Sequence, residues 1–226
     1  MSKTSIYKAV LFDMDGVVVD SMPYHYRAWQ EVFRSLGIGL DKMEIYKREG
    51  EQGIRSIAAI LTEHGIQFSP EQMDQLLQRK EAIFKGMAAH RLFPGVESLV
   101  RDLRGEGYLI GLVTGTSRGE IDYVLPGNLI HSFDVVVTGD SVEHGKPAPD
   151  PYLKAIEGLH IRPSDAVVIE NAPYGIRSAK KAGIFCIALT TSLPREHLRD
   201  ADMVCDSLEE VRGLLLGKGL GLKVPE

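Results

Sequence analysis

Two aspartates one residue apart, Asp13 and Asp15, stand where an apolar run from Ala9 to Phe12 ends. Carboxylates this close repel, and Asp is a poor strand residue. Either the strand ends in a polar turn, or the pair is placed to share a cation. Gly16 follows, and glycine permits the tight turn that would fold both carboxylates over the strand end. Three more sets of reactive residues stand after apolar runs. Thr114-Gly115-Thr116-Ser117 offers hydroxyls and bare backbone N–H groups, donors that suit phosphate oxygens. Lys146, in GKPAPDP, is a cation in a loop stiffened by prolines, and Glu170-Asn171 closes the run AVVIE with an acid and an amide. Singly these are an ordinary turn, a solvated charge and a cap. Their order, each after its own strand, is what points to a site. GDSVEHGKP is not a P-loop, because Pro147 stands where a hydroxyl residue is required and the spacing between the glycines is too long.

The elements that must position these residues read as a doubly wound α/β fold. Apolar runs at 7–13, 108–114, 134–140, 166–170 and 184–190 lack clean alternation, as expected for parallel strands covered by helices on both faces. Helix-like segments such as PDPYLKAIEGLH and APYGIRSAKKAG lie between the later runs. The long stretch between the first two runs is helical in pattern. YHYRAWQEVFRSLG carries an apolar stripe at Ala28, Trp29, Val32, Phe33 and Leu36, and IRSIAAILTEHG is a second candidate. SPEQMDQLLQRKEAIFKGM is a third, with Ser69 and Gln72 at capping-box spacing and Pro70 in the first turn. A crossover needs only about a dozen residues. Residues 21–91 are therefore expected to form an inserted helical cap domain on a core made of 1–20 plus 92–226. The glycine-rich tail GKGLGLKVPE reads as a frayed terminus.

Composition narrows the function classes. At 226 residues and 44% hydrophobic, the chain can bury a substantial core. A net charge of −5 without a basic run argues against a nucleic-acid groove, although a local donor cluster can still bind an anion. No apolar run is long enough to cross a bilayer, and MSKTSIYKAV lacks the apolar stretch of a signal peptide, so a cytoplasmic protein without a membrane partner is expected. Cys186 and Cys205 are expected to be reduced, buried thiols.

With DMDGV (13–17), TGTS (114–117), GKPAPDP (145–151) and ENAPYGIRSAKKAG (170–183) in this order, the chain resembles the haloacid dehalogenase-like superfamily of phosphotransferases over essentially its whole length. The likeness is to the group holding β-phosphoglucomutase, phosphoglycolate phosphatase and small sugar-phosphate phosphatases. The resemblance implies that Asp13 is the nucleophile, forming an aspartyl-phosphate, and that Asp15 is the general acid and base. Asp15 must then be protonated while Asp13 is ionised, which needs their pKa values pushed apart. The resemblance also implies Mg²⁺ held by Asp13, the Asp15 carbonyl and Glu170, with phosphoryl oxygens bound by Thr114, Gly115, Thr116 and Lys146. The dehalogenases and phosphonoacetaldehyde hydrolases lack an acid at the position of Asp15, so its presence favours phosphoryl transfer from oxygen. Asn171 departs from the family, which often has an acid there. Weaker but retained Mg²⁺ binding is expected, tightening in an Asn171→Asp variant.

Within the resemblance, SMPYHYRAW matches the cap entrance of β-phosphoglucomutase at His25 and Trp29, and Lys80 falls where that group has a cap lysine. The arginine that would hold a second phosphate aligns with Gly53, although Arg55 is near. The lysine after the hydroxyl turn aligns with Ser117, next to Arg118. A mutase holds a bisphosphate in two orientations, so losing both cations favours a phosphatase acting on a small phosphorylated metabolite. His25, Lys80 and Arg55 remain the candidate substrate contacts from the cap. The alternatives are a mutase and, on the strength of Asn171 alone, a non-catalytic binding protein. A monomer is the default assembly.

Overall fold

The computed structural model describes residues 7–87 and 91–217. The first six residues, and the tail from 218 onward read above as frayed, lie outside the described residues. Strand β1 (Ala9–Phe12) is followed by helices α1 (Met22–Arg34), α2 (Lys42–Lys47), α3 (Gly53–Glu63) and α4 (Pro70–Met87). The chain then returns through α5 (Val96–Gly105) to β2 (Leu109–Val113). Beyond it come α6 (Arg118–Val124), α7 (Gly127–Ile130), β3 (Val135–Val137), α8 (Asp150–Gly158) and β4 (Ala166–Glu170). The chain closes with α9 (Pro173–Lys181), β5 (Phe185–Leu189), β6 (Met203–Cys205) and α10 (Leu208–Leu216).

The strands make one parallel six-stranded sheet in the order β3-β2-β1-β4-β5-β6. Alternation of side chains across each strand feeds two cores. Val10 and Phe12 pack with Leu99, Leu103, Ile121 and Val211 of α5, α6 and α10, while Ala9 and Leu11 pack with Tyr152, Ala155, Ile176 and Ala179 of α8 and α9. This is why the strand sequences read as unbroken apolar runs: both faces are covered. Cys186 and Cys205 are buried free thiols, as expected.

Five of the helices and strands went unread in the sequence: α2, α6, α7, α10 and β6. β6 has three residues, too few to show a period, and exists through its pairing with β5. α2 has six, started by Asp41, whose side chain accepts from the Met43 and Glu44 backbone at 2.8 and 3.3 Å. The capping box that announced α4 is present: Gln72 Oε1 accepts from the Ser69 N–H at 2.8 Å and Ser69 Oγ accepts from the Gln72 N–H at 3.3 Å.

Helices α1 to α4 bury an apolar cluster of their own, with Trp29, Val32, Phe33, Ile57, Ile60 and Leu61 at its centre. Each such side chain removed from water contributes roughly 1.5–3 kcal/mol. The segments entering and leaving this helical unit run side by side. The Asp20 N–H donates to Arg91 O at 2.8 Å and the Phe93 N–H to Val18 O at 3.0 Å. Among the described residues no helix is long and apolar enough to cross a membrane.

Candidate active site

The sheet order reverses between β1 and β4, and such a switch point opens a crevice beyond the carboxyl ends of the strands. Asp13 follows β1, Thr114 follows β2, and Glu170-Asn171 closes β4, so topology gathers three of the four sequence sets at one place. Gly16 makes this crowding possible. Its φ is +86°, and a Cβ there would come within 2.1 Å of the Asn171 amide nitrogen.

The fourth set arrives with Lys146, 1% exposed, whose ammonium donates to Asp13 Oδ1 at 2.6 Å, Glu170 Oε1 at 2.6 Å and Val113 O at 3.1 Å. Tyr152 donates to the same Glu170 oxygen at 2.7 Å. Burial opposes the charge on Lys146, but Asp13 and Glu170 outweigh it and hold its pKa above the ordinary lysine value.

A residue that sequence reasoning missed enters from the helical unit. Glu49, in the loop between α2 and α3, is buried and accepts from Asn171 Nδ2 at 2.7 Å. Asn171 Nδ2 also donates to Ser192 Oγ at 2.9 Å. Asp13 Oδ2, Glu49 Oε1 and Asn171 Oδ1 are buried without a hydrogen-bond partner among the described residues. Burial, with Glu170 as the strongest like charge, pushes the Asp13 carboxyl well above the usual range, against the pull of Lys146. Burial beside Asp13, Asp15 and Glu170 does the same to Glu49. Carboxylates outnumber cations here, and three oxygens are left without donors. Hard oxygen ligands in this state fit a divalent cation such as Mg²⁺. Among the described residues no three acidic, His or Cys side chains form a ready-made metal cage; the donor set mixes carboxylates with an amide oxygen, and Lys146 spans two of its members.

Asp15 meets a different environment two residues on. Its Oδ1 accepts from Ser21 Oγ at 2.5 Å and faces His25 Nε2 at 3.0 Å; its Oδ2 accepts from Thr116 Oγ1 at 2.8 Å and Thr114 Oγ1 at 3.2 Å. Burial would raise its pKa, but His25, then Ser21 and Thr116, overcome that and hold the carboxyl below the usual range. The two carboxyls are thus pushed in opposite directions, Asp13 up by burial and Glu170, and Asp15 down by His25 and its hydroxyl partners.

Above Asp15 lies a cavity of about 260 Å³, bounded by His25, Trp29, Glu49, Gly50, Lys80, Gly115 and Thr116 among others. Gly50 and Gly115 meet so closely that a Cβ on Gly115 would lie 2.4 Å from Gly50 O. Asp13 is sealed beneath, 1% exposed and not part of the cavity lining. Of the other expected residues, His25 is stacked on Phe84 at 4.0 Å between ring centres. Lys80 reaches the wall, but its ammonium is taken by Glu120. Arg55 is not brought to the site: it is exposed, outside the cavity lining, and its Nε donates to Gln52 Oε1 at 3.1 Å. It sits in the first turn of α3, beside the arginine-to-glycine position, with its side chain turned to the loop.

The sequence pattern of the family described as haloacid dehalogenase-like hydrolase matches residues 10–189. The chain belongs to the haloacid dehalogenase-like hydrolases. Among its relatives in this family, validoxylamine A 7′-phosphate phosphatase of Streptomyces hygroscopicus subsp. limoneus is 33% identical over 210 residues, covering 92% of this chain and 97% of that one. β-Phosphoglucomutase of Bacillus subtilis (strain 168) is 30% identical over 203 residues, 87% of this chain and 88% of that one. The solved structure of a putative β-phosphoglucomutase from Bacteroides vulgatus superposes with a TM-score of 0.84 at 33% identity, covering 95% and 90% of the two chains. The haloacid dehalogenase-like core and the helical unit are therefore matched together.

Proposed function

We propose that this haloacid dehalogenase-like hydrolase is a Mg²⁺-dependent phosphatase of small phosphomonoesters, with residues 21–91 as a cap over the core. The observation that carries the reading is the division between the two aspartates: Asp13 lies in the cation-seeking centre with Lys146 and Glu170, and Asp15 lies at the cavity floor under hydroxyls and His25. The similarity to validoxylamine A 7′-phosphate phosphatase supports the substrate class.

Asp13 attacks phosphorus in line, and the leaving alkoxide takes a proton from Asp15, which then draws a proton from the water that hydrolyses the aspartyl-phosphate. His25, 3.0 Å from Asp15, is placed to supply that proton when the phosphoryl group brings negative charge beside the pair. Lys146 and the Thr114 hydroxyl stabilise charge on the phosphoryl oxygens. Asp13, Glu170, the Asp15 carbonyl and Asn171 Oδ1 would hold Mg²⁺, with Glu49 offering a carboxylate from the cap. The bound ion supplies positive charge that keeps Asp13 ionised and neutralises the transferring group. Glu49 thereby offsets the charge missing at Asn171.

The mutase reading is weaker because Arg55 faces away from the cavity and Gly53 carries no side chain. The test is hydrolysis of p-nitrophenyl phosphate with Mg²⁺, abolished by EDTA and by Asp13→Asn. Glucose 1-phosphate with a trace of the 1,6-bisphosphate should give free phosphate and no glucose 6-phosphate; accumulation of glucose 6-phosphate would establish the mutase instead.

A further inference from the structure

The cavity wall away from Asp15 carries a cation that its own surroundings cancel. Lys80 of α4 is 5% exposed, and its ammonium lies 3.2 Å from Glu120 Oε1, itself in a residue 3% exposed. The pair joins the cap to the core, since Glu120 belongs to α6 just after the hydroxyl turn. The other oxygen of Glu120 accepts from Ser117 at 3.4 Å, and Ser117 also faces Glu81 Oε1 at 3.5 Å. The aliphatic and charged end of Lys80 is fixed over Trp29 and Phe84, 5.4 and 4.9 Å from the ring centres. Arg48, the one arginine on the lining, is occupied by Glu63 at 2.5 Å and by Glu51 at 3.7 Å. At this end Lys80 is the cation of the cavity lining that Glu120 holds, while Lys85, outside the lining, lies over the Tyr123 ring and attracts Glu81.

We propose that Glu120 is a specificity-determining residue: by neutralising Lys80 it makes the cavity reject a leaving group that carries a second anion and accept neutral polyol or sugar leaving groups. This rests on the phosphatase reading and extends it to the far half of the substrate. The physical reason is that a buried ammonium already paired with a carboxylate has no charge left for a ligand, while a second phosphate would meet two carboxylates at close range. Replacing the carboxylate by an isosteric amide leaves Lys80 in place and frees its charge.

Trp29 is the single tryptophan of the chain and lies against Lys80, so its fluorescence reports ligands at this wall without any turnover. Binding of fructose 6-phosphate and fructose 1,6-bisphosphate is titrated in Asp13→Asn protein and in its Glu120→Gln derivative. The affinity for the bisphosphate relative to the monophosphate should rise about tenfold on removing the carboxylate, the gain of one charge-assisted hydrogen bond. Adding Lys80→Met should return the ratio to that of the parent. An unchanged ratio in Glu120→Gln, or a ratio in the Lys80→Met/Glu120→Gln protein that falls below the parent's, would overturn the proposal, the latter by showing that Lys80 already binds the far anion. Loss of fold would weaken both ligands equally and leave the double-variant comparison to decide. Failure of p-nitrophenyl phosphate turnover in unmodified protein would instead strike the phosphatase reading beneath the proposal, a result distinct from the binding ratios.

Discussion

At Asp13 and Asp15 one residue type meets two environments within a single turn, and the partners decide what each can do. Asp13 has one oxygen on Lys146 and the other without a donor among the described residues; Asp15 has both oxygens bound, by Ser21, His25, Thr114 and Thr116. If Asp15 moves protons and Asp13 attacks, the two roles separate kinetically. Asp15→Asn should lower kcat for an alkyl phosphomonoester by about 10²- to 10⁴-fold, the usual share of general acid–base catalysis. With p-nitrophenyl phosphate the leaving group needs no proton, so stopped-flow should show a burst of p-nitrophenolate followed by slow hydrolysis of the phospho-enzyme. A variant with no burst and equal losses on both substrates would contradict the assignment. These proposed roles are what the resemblance carried by DMDGV implies; the residues alone point to a pair placed around a cation. Their contrasting surroundings are not legible there, because those depend on His25 from α1 and Glu170 from β4, brought in by the fold.

At the scale of elements, the loop between α2 and α3 joins the helical unit to the loops at the strand ends. Besides Glu49, it carries Gly50 against Gly115, and Gln52, whose Nε2 donates to Gly139 O at 2.8 Å and Val142 O at 3.0 Å. The Gln52 amide is a two-bond latch onto the loop after β3. Gln52→Glu keeps the size and the Arg55 contact but sets a carboxylate against two carbonyl oxygens. Each lost hydrogen bond is worth about 0.5–1.5 kcal/mol, so kcat/KM should fall by about tenfold or more, while Tm, set by the cores, moves little. Unchanged kcat/KM measured by steady-state kinetics would show that these two hydrogen bonds do not help to form the site. In REGEQG only Gly53, at the position of a phosphate-holding arginine in the resemblance, is singled out, and nothing marks Glu49 or Gln52 of this loop as part of a site. Its charge pattern reads as a solvated turn, and only the packing of α1 to α4 over the crevice makes it a roof.

For the whole molecule, the acid-rich centre links stability to pH and to the cation. Asp13 and Glu49 both have carboxyls raised above their ordinary values, first by burial and then by their acidic neighbours. Groups raised in the folded state contribute stability that is full below the unfolded pKa and lost as pH climbs through the folded value. Without a cation the centre therefore costs stability at neutral and alkaline pH. Mg²⁺ should raise Tm more at pH 8 than at pH 5.5, and Asp13→Asn should shrink the increment. Thermal melts with MgCl₂ or EDTA at the two pH values measure this; equal increments would show that the ion does not bind this centre.

The sequence by itself determined the parallel sheet, the order of its reactive turns and the membership of Asp13, Asp15, Thr114, Lys146 and Glu170 in one site. These follow from local signals: apolar runs of strand length, turn residues at their ends, and motif spacing. Only the tertiary structure decided that Glu49 joins Asn171, that Glu120 cancels Lys80, and that Arg55 turns away. Each of those is a contact, or a missed one, between the helical unit of α1 to α4 and an element far off in the chain. A charge at a given position reads the same in sequence whether it is solvated, paired or aimed at a ligand. The partner that makes the difference is chosen by how the helical unit lies on the sheet.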